Sequence, residues 1–337
     1  MNLIEISEKF PNEIDCIEYA EKLRFGKKVK CAYCGSNDLS QRFSDYRHRC
    51  KNCNKSTAVT VHTHLHNTRI TLKTWFYAIS VITDAKKGMS ALQLHRNIGV
   101  SYPTAFKLYH KLREMMKEEN KEIPELDGVV EMDETYIGGK PRKFDNPEFG
   151  PKRRDYLEEQ LEKYTDEGFD FTPQGHNPAK IKNDSKRGRG TDNIPVVGIV
   201  ERDGNVVAEV MQNLTYANLK EMVQKYVDED NSVLITDNYK GYNSMKKIIG
   251  HIVIDHKEMY SYKGLNSNSI ESFWAIIERQ IVGQHHHVDL KYLEKYVAET
   301  VFKFNNRKDD DMFETLVKIS MSPKKQQIKN KKNGSTN

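Results

Sequence analysis

Residues 128–138 read GVVEMDETYIG, an alternating stretch with Asp133 set among Val129, Val130 and Met132. Alternation of this kind marks a strand with one face buried. Downstream, IPVVGIVERDG (194–204) runs into NVVAEVMQN (205–213). The Asp203-Gly204 dipeptide between them is a hairpin turn signal. Beyond it the periodicity predicts a helix over 216–227, a strand over SVLITDN (232–238) and a short helix over 241–249. A strand over HIVIDHK (251–257) and a helix over 268–282 complete the series. Three leading strands followed by alternating units predict an α/β domain, a mixed sheet flanked by helices on both faces. Two further helices, 289–307 and 311–320, are expected to pack against that sheet.

The element order β-β-β-α-β-α-β-α resembles that of the RNase H-like fold. Residues 139–193 interrupt it after the first strand, with many charges, scattered Pro, Gly and Asn, and no apolar period. A structureless loop of that length is unusual inside a compact domain. It reads as a partly disordered surface insertion, with at most a short helix at 155–165.

Upstream, five cysteines carry the clearest chemistry. Cys31, Cys34, Cys50 and Cys53 form two C-x2-C pairs, CAYC and CKNC, fifteen residues apart. Each pair presents two thiolates, and four thiolates suit one tetrahedral Zn²⁺ with no open position. Gly35 directly follows the first pair, and Tyr46–Arg49 reads as a short strand leading into the second. The pattern is that of a structural zinc ribbon. A disulfide pair would need a secretory context that the sequence does not offer. Cys16 lies outside the pattern and reads as an ordinary buried thiol.

Next come a helix over 71–83 and a helix–turn–helix over 86–116. Ser90 and Ser101 are placed as N-caps, Gly99 sits in the turn, and Pro103 falls in the first turn of the second helix. That helix is expected to show Lys107, His110, Lys111 and Arg113 to solvent, as a DNA-reading helix does in the major groove. A helical hairpin that binds nothing gives the same pattern. The regions expected are thus a ribbon (1–65), a helical DNA-binding part (66–125), the sheet domain with its insertion (126–310), and a last helix with a basic tail (311–337).

Composition excludes more than it assigns. At 337 residues the chain exceeds one average domain. No apolar run approaches the roughly 18 residues that span a bilayer. The opening MNLIEISEKFPNEIDC lacks the basic and apolar regions of a secretory signal. Lys+Arg 53 against Asp+Glu 48 leaves +5, too little to argue for nucleic acid by itself. Local clusters matter more. KIKNDSKRGR (180–189) has five basic residues against one Asp, and the tail from Pro323 has five lysines and no acid. A solvated tail has the same composition.

Three acidic positions remain. Asp133 sits mid-strand, Asp237 ends the strand LITD, and Glu271 lies in the first turns of NSIESFWAII. Buried strand charges are costly unless paired or metal-bound. Adjacent strands can bring Asp133 and Asp237 together, and a helix across their ends can add the third carboxylate. Such hard oxygens suit Mg²⁺ or Mn²⁺. Other roles stay open: Asp237 as cap of the next helix, Asn268 and Glu271 as a capping box, and Glu134, on the opposite strand face, as a solvent or supporting group. The buried stripe of the late helix is expected to be Ile270, Phe273, Trp274, Ile277 and Ile281.

Together, CAYC/CKNC, MDETYIGGK, TDNYKGY, NSIESFWAIIERQIVGQHHHV and YVAETVFKFNNR make the chain resemble a bacterial family over about residues 10–310. These are the insertion-sequence transposases of the ISXO-like group, with an amino-terminal zinc ribbon and a DDE-type catalytic domain. The resemblance implies Asp133 and Asp237 as the first two ligands of a catalytic Mg²⁺ or Mn²⁺. Glu271 is implied as the third, with Asn268 close behind. It implies DNA as partner, in the form of terminal repeats and target, contacted through Lys107, Lys111, Arg113 and Arg279. A homo-oligomer on DNA and a cytoplasmic, nucleoid-associated location in a bacterium follow, with no membrane. His285, His286 and His287 fall at the family's histidine motif, as DNA-contacting or structural groups. Glu278 stands where the family has Lys or Arg, and Thr300 and Lys303 where it has Phe and Arg. That departure keeps alive a catalytically inactive DNA-binding regulator. A zinc-ribbon transcription or RNA-processing factor, the other rival, would have no need of Asp133 or Asp237.

Overall fold

The computed structural model describes residues 1–42, 44–137, 194–254, 268–286 and 288–323. The expected insertion with its helix at 155–165, the basic run 180–189, the end of strand 251–257, His287 and the lysine-rich tail lie outside the described residues. The chain divides into two units, each with its own fold: Met1–Pro124 with Ala275–His285 and Lys295–Asn337, and Glu125–Trp274 with His286–Glu294.

The second unit is built on a five-stranded sheet. Strands β3 (Leu126–Ile137), β4 (Ile194–Glu201) and β5 (Val206–Val210) run up, down and up. Helix α6 (Tyr216–Tyr226) leads straight into β6 (Val227–Thr236), and β7 (Gly250–Val253) follows. The spatial order is β5-β4-β3-β6-β7, with β3, β6 and β7 mutually parallel. An antiparallel hairpin joined to a parallel set through the first strand is the RNase H-like arrangement expected from the element order. The hairpin closes as predicted: Asp203 takes the left-handed conformation (φ 62°) and the Gly204 N–H donates to the Glu201 carbonyl. The short helix expected over 241–249 is instead two 3-10 turns, Lys240–Tyr242 and Met245–Lys247.

Helix α7 (Asn268–Glu278) buries Ile270, Phe273, Trp274 and Ile277, the stripe its period predicts. Gly198 of β4 lets it approach: a Cβ there would stand 2.8 Å from the Trp274 ring and 3.0 Å from Ile270. After Glu278 the helix widens into a π-helical turn, Arg279–His285, where an ordinary α-helix to 282 was expected.

The first unit holds α1 (Leu3–Lys9), α2 (Glu13–Phe25), the two-residue strands β1 (His48–Arg49) and β2 (Ser56–Thr57), and α3 (Leu72–Asp84). Helices α4 (Ala91–Ile98) and α5 (Tyr102–Glu119) form the helix–turn–helix. Ser90 accepts from the Gln93 N–H, and Gly99 closes α4 in the left-handed conformation, both as read from sequence. Ser101 precedes α5 but bonds Thr104 Oγ1 rather than a backbone amide. Helix α9 (Met312–Met321) corrects the expectation that it covers the sheet, and α8 (Leu290–Asn305) meets it only in part, its residues to Glu294 grouping with the sheet unit and those from Lys295 with the helical one. Phe302, Phe313, Leu316 and Val317 are buried in the helical core with Phe10, Phe76 and Leu108. Phe313 meets Phe76 edge to face and Tyr19 donates to Glu314 at 2.7 Å, so partners at the amino end decide where α9 packs.

Candidate functional site

The ribbon cysteines converge. Their sulfurs all lie within 4.8 Å of one another, with Cys34–Cys50 at 3.5 Å and Cys31–Cys53 at 3.7 Å. Zn–S bonds of about 2.3 Å in a tetrahedron set sulfurs about 3.8 Å apart, so the cluster fits zinc. Both knuckles share one backbone solution. The Gly35 N–H donates to the Cys31 carbonyl and the Asn54 N–H to that of Cys50, with Gly35 (φ 75°) and Asn54 (φ 57°) left-handed. Gly35 was legible in the sequence; Asn54 is its counterpart. Backbone N–H groups of Cys53 and Asn52 draw the Cys50 thiol down, whereas Cys34, against the bond it takes from Ser36, is held up by the neighbouring thiols.

The second centre lies where β6 ends beside the middle of β3. Glu131 of β3 faces Ile235 of β6, and carrying this parallel register two residues on sets Asp237 beside Asp133. Burial pushes the Asp133 carboxyl up to about 6, with the negative charges of Glu134 and Asp237 adding to it. The Trp274 indole N–H donates to Asp133 Oδ2 at 3.1 Å. Asp237 accepts from the Tyr239 N–H at 3.0 Å, a local turn rather than the helix cap weighed above. Glu134 is buried, not solvated, and accepts from the Tyr242 hydroxyl at 2.7 Å. Tyr242 and Trp274 carry a polar edge that a hydrophobic pattern does not display.

Glu131 is the residue that sequence reasoning passed over. It is fully buried, on the same face of β3 as Asp133. One oxygen accepts from the backbone N–H groups of Ser269 (2.8 Å) and Ile270 (3.0 Å), and the other from Arg202 (2.9 Å). It thereby satisfies those two first-turn amides of α7. Asn268 and Glu271 are exposed on α7. Glu271 lies three residues before Trp274, hence on a neighbouring part of the helix surface. Among the described residues the four cysteines are the one group of three or more potential ligands at metal-holding distance. The β3–β6 register and the charge of Asp237 felt at Asp133 bring these two carboxylates together, and Glu271 lies on the exposed side of α7.

The expected DNA contacts divide. Lys107 and Arg279 are exposed, and Lys111 is half-buried with its ammonium 5.8 Å from the Trp75 ring centre. Arg113 corrects the sequence reading. It is buried, bonds Glu299 at 2.7 Å and stacks on Tyr109 and Tyr296, each ring centre 3.7 Å away. His110 is buried as well, and burial beside Arg113 and Lys295 lowers it to about 4. Lys303 reaches Glu299 at 2.7 Å, and Thr300 donates to Gln280, so both departures from the family motif serve the interior. Glu278 is exposed, as are the backbone-strained His286 (φ 59°) and its neighbourhood around Val282.

A four-cysteine ribbon and a helix–turn–helix thus accompany an RNase H-like sheet on which Asp133 and Asp237 approach each other, the domain set of a transposase. Residues 11–56 match the transposase zinc-ribbon domain and residues 169–305 the ISXO2-like transposase domain, together more than half of the chain. The chain belongs to the ISXO2-like transposase family. A curated relative, an uncharacterized protein in transposable element ISH50 of Halobacterium salinarum, is 28% identical over 144 residues. That match covers 41% of this chain and 47% of the relative, so the chain spans about half the length of the curated relative it matches. Among solved structures, the Mos1 strand transfer complex aligns over 72% of this chain and 73% of its own (11% identity, TM-score 0.29). A pre-cleavage Mos1 transpososome aligns over 72% and 78% (12% identity, TM-score 0.24). Superpositions that loose carry no weight for fold or function.

Proposed function

We propose that the protein is an insertion-sequence transposase that binds the ends of its element and cuts and rejoins DNA with Mg²⁺ or Mn²⁺. The observation that carries this is the approach of Asp237, just past the end of β6, to Asp133 within the neighbouring parallel strand β3, in a chain with both domains of one transposase family. Asp133 and Asp237 would hold the cation, with Glu271 or Asn268 as the third group. Bound there, it would polarise the scissile phosphate and favour ionisation of the attacking oxygen. The chain itself orients the two carboxylates: Trp274 fixes one oxygen of Asp133 and the Tyr239 N–H one oxygen of Asp237. Hydrolysis of a phosphodiester at the element end frees a 3′-OH. That hydroxyl then attacks a target phosphodiester, releasing a target 3′-OH as leaving group. Neither step requires a covalent protein–DNA bond. End recognition falls to the ribbon and to α4–α5, where Lys107 is exposed, and a homo-oligomer would bring two ends together.

One observation favours the inactive regulator instead: Glu271 stands exposed on α7. The two are separated by incubating the zinc-loaded protein with duplexes carrying the element's ends, with and without Mg²⁺ or Mn²⁺. A transposase nicks at the end in a cation-dependent way. A regulator binds the same duplexes and leaves them whole.

A further inference from the structure

Helix α7 meets β3 at two points. Its open amide end rests on Glu131, and one turn further on Trp274 rests on Asp133. Glu131 and Asp133 are two residues apart on one strand and so project from one face. The Glu131 carboxylate is fully buried, yet it gains three donors: two main-chain amides at 2.8 and 3.0 Å and the Arg202 guanidinium at 2.9 Å. Arg202 is tied to the same strand, since its own N–H donates to the Val129 carbonyl at 2.9 Å. A negative group at the positive end of a helix is stabilised by the helix dipole as well as by the orphan amides. Two anchors about a turn apart fix both the rotation and the axial position of a helix, where one anchor leaves it free to swivel. Glu271 lies between them.

From this we propose that Glu131 is a positioning residue: it seats α7 on β3, so that the Trp274–Asp133 bond forms and the carboxylate centre keeps its geometry for a divalent cation. The proposal rests on Asp133 and Asp237 being that centre. What acts is the reach of the side chain to the Ser269 and Ile270 amides, not a charge near the metal. The two contributions separate cleanly. Glu131→Gln removes the charge and keeps an oxygen within reach, while Arg202, 28% exposed, can turn its guanidinium to water. Glu131→Asp keeps the charge and withdraws it by one methylene.

The experiment is an Mn²⁺ titration of the full, zinc-loaded chain, read by the free-ion EPR signal, on wild type, Asp133→Ala, Glu131→Ala, Glu131→Gln and Glu131→Asp. Supporting groups of metal ligands typically change affinity about 10- to 100-fold when lost, so Glu131→Ala and Glu131→Asp should raise half-saturation by about tenfold or more. Glu131→Gln should stay close to wild type. Should Glu131→Ala fail to fold, the order of the Gln and Asp variants decides. Wild-type Mn²⁺ affinity in Glu131→Asp, or weaker binding by Glu131→Gln than by Glu131→Asp, overturns the positioning role; so does a lowered melting temperature with affinity unmoved. A different failure marks the underlying function. If Asp133→Ala binds Mn²⁺ as wild type does, the carboxylate centre itself is wrong and the positioning role goes with it.

Discussion

Arg113 was read as a solvent-facing base because its charge argued for the surface, but its position argued otherwise. It follows Tyr109 by four residues on α5 and precedes Met116 by three, which puts it on the buried stripe. Its partner Glu299 lies 186 residues away, beyond the range of any local pattern. Burial pushes the Glu299 carboxyl up, but Lys303 and Arg113 outweigh it and take the group from the ordinary 4.5 to about 2. The folded value is the lower one, so the ionised form stabilises the fold. That contribution is complete above about pH 4.5 and is lost as pH falls toward 2. Removing one partner of a buried pair costs on the order of 3–5 kcal/mol, so Glu299→Gln should melt well below wild type at pH 7. Thermal melts at descending pH should show the gap closing below about pH 4.5. A gap independent of pH would mean that Glu299 is not ionised in the fold.

At the scale of elements, the close seat of α7 on the sheet depends on a missing side chain. Gly198 pairs with Asp133 across β3 and β4, directly under Trp274. Gly198→Ala would force the indole away from the carboxylate it orients. Overpacking of this kind costs about 1–3 kcal/mol, and a larger loss is expected in cleavage than in stability. Gly250→Ala is the control, because its nearest neighbours stand at 3.6 Å. Cleavage rates and melting temperatures of the two variants check this, and equal behaviour would contradict the seating. Helices and hairpin were legible because each declares itself within a few residues: Ser90 and Gly99 at the ends of α4, Asp203-Gly204 in the turn, Ile270 to Ile277 along α7. Glu131 was not. A charge at a buried strand position can be read, and was at Asp133, but the amides that need it belong to a helix 138 residues on. The same distance hid the polar edge of Trp274.

For the whole molecule, element order led to the sheet, since three strands followed by alternating units leave few arrangements. It did not lead to the return of α8 and α9 into the amino-terminal helices, which is decided by Phe10, Tyr19 and Phe76 at the far end of the chain. The ribbon was the most legible part, because spacing alone dictates four sulfurs around one ion. About one zinc per chain is expected by elemental analysis, lost in Cys50→Ser. Small metal-built modules lose their fold with the ion, so chelation should abolish end binding and leave the sheet signal in circular dichroism largely in place. Zinc retained in full by Cys50→Ser would contradict the ribbon. Chemistry and binding are thus assigned to different residues, and one comparison tests that division. Asp133→Ala and Asp237→Ala are measured beside wild type for Mg²⁺-dependent cleavage of element-end DNA and for affinity to the same DNA. With Asp133 and Asp237 as the proposed cation ligands, cleavage should fall by several orders of magnitude in both variants, while affinity stays near wild type. Wild-type cleavage by both variants would contradict the account.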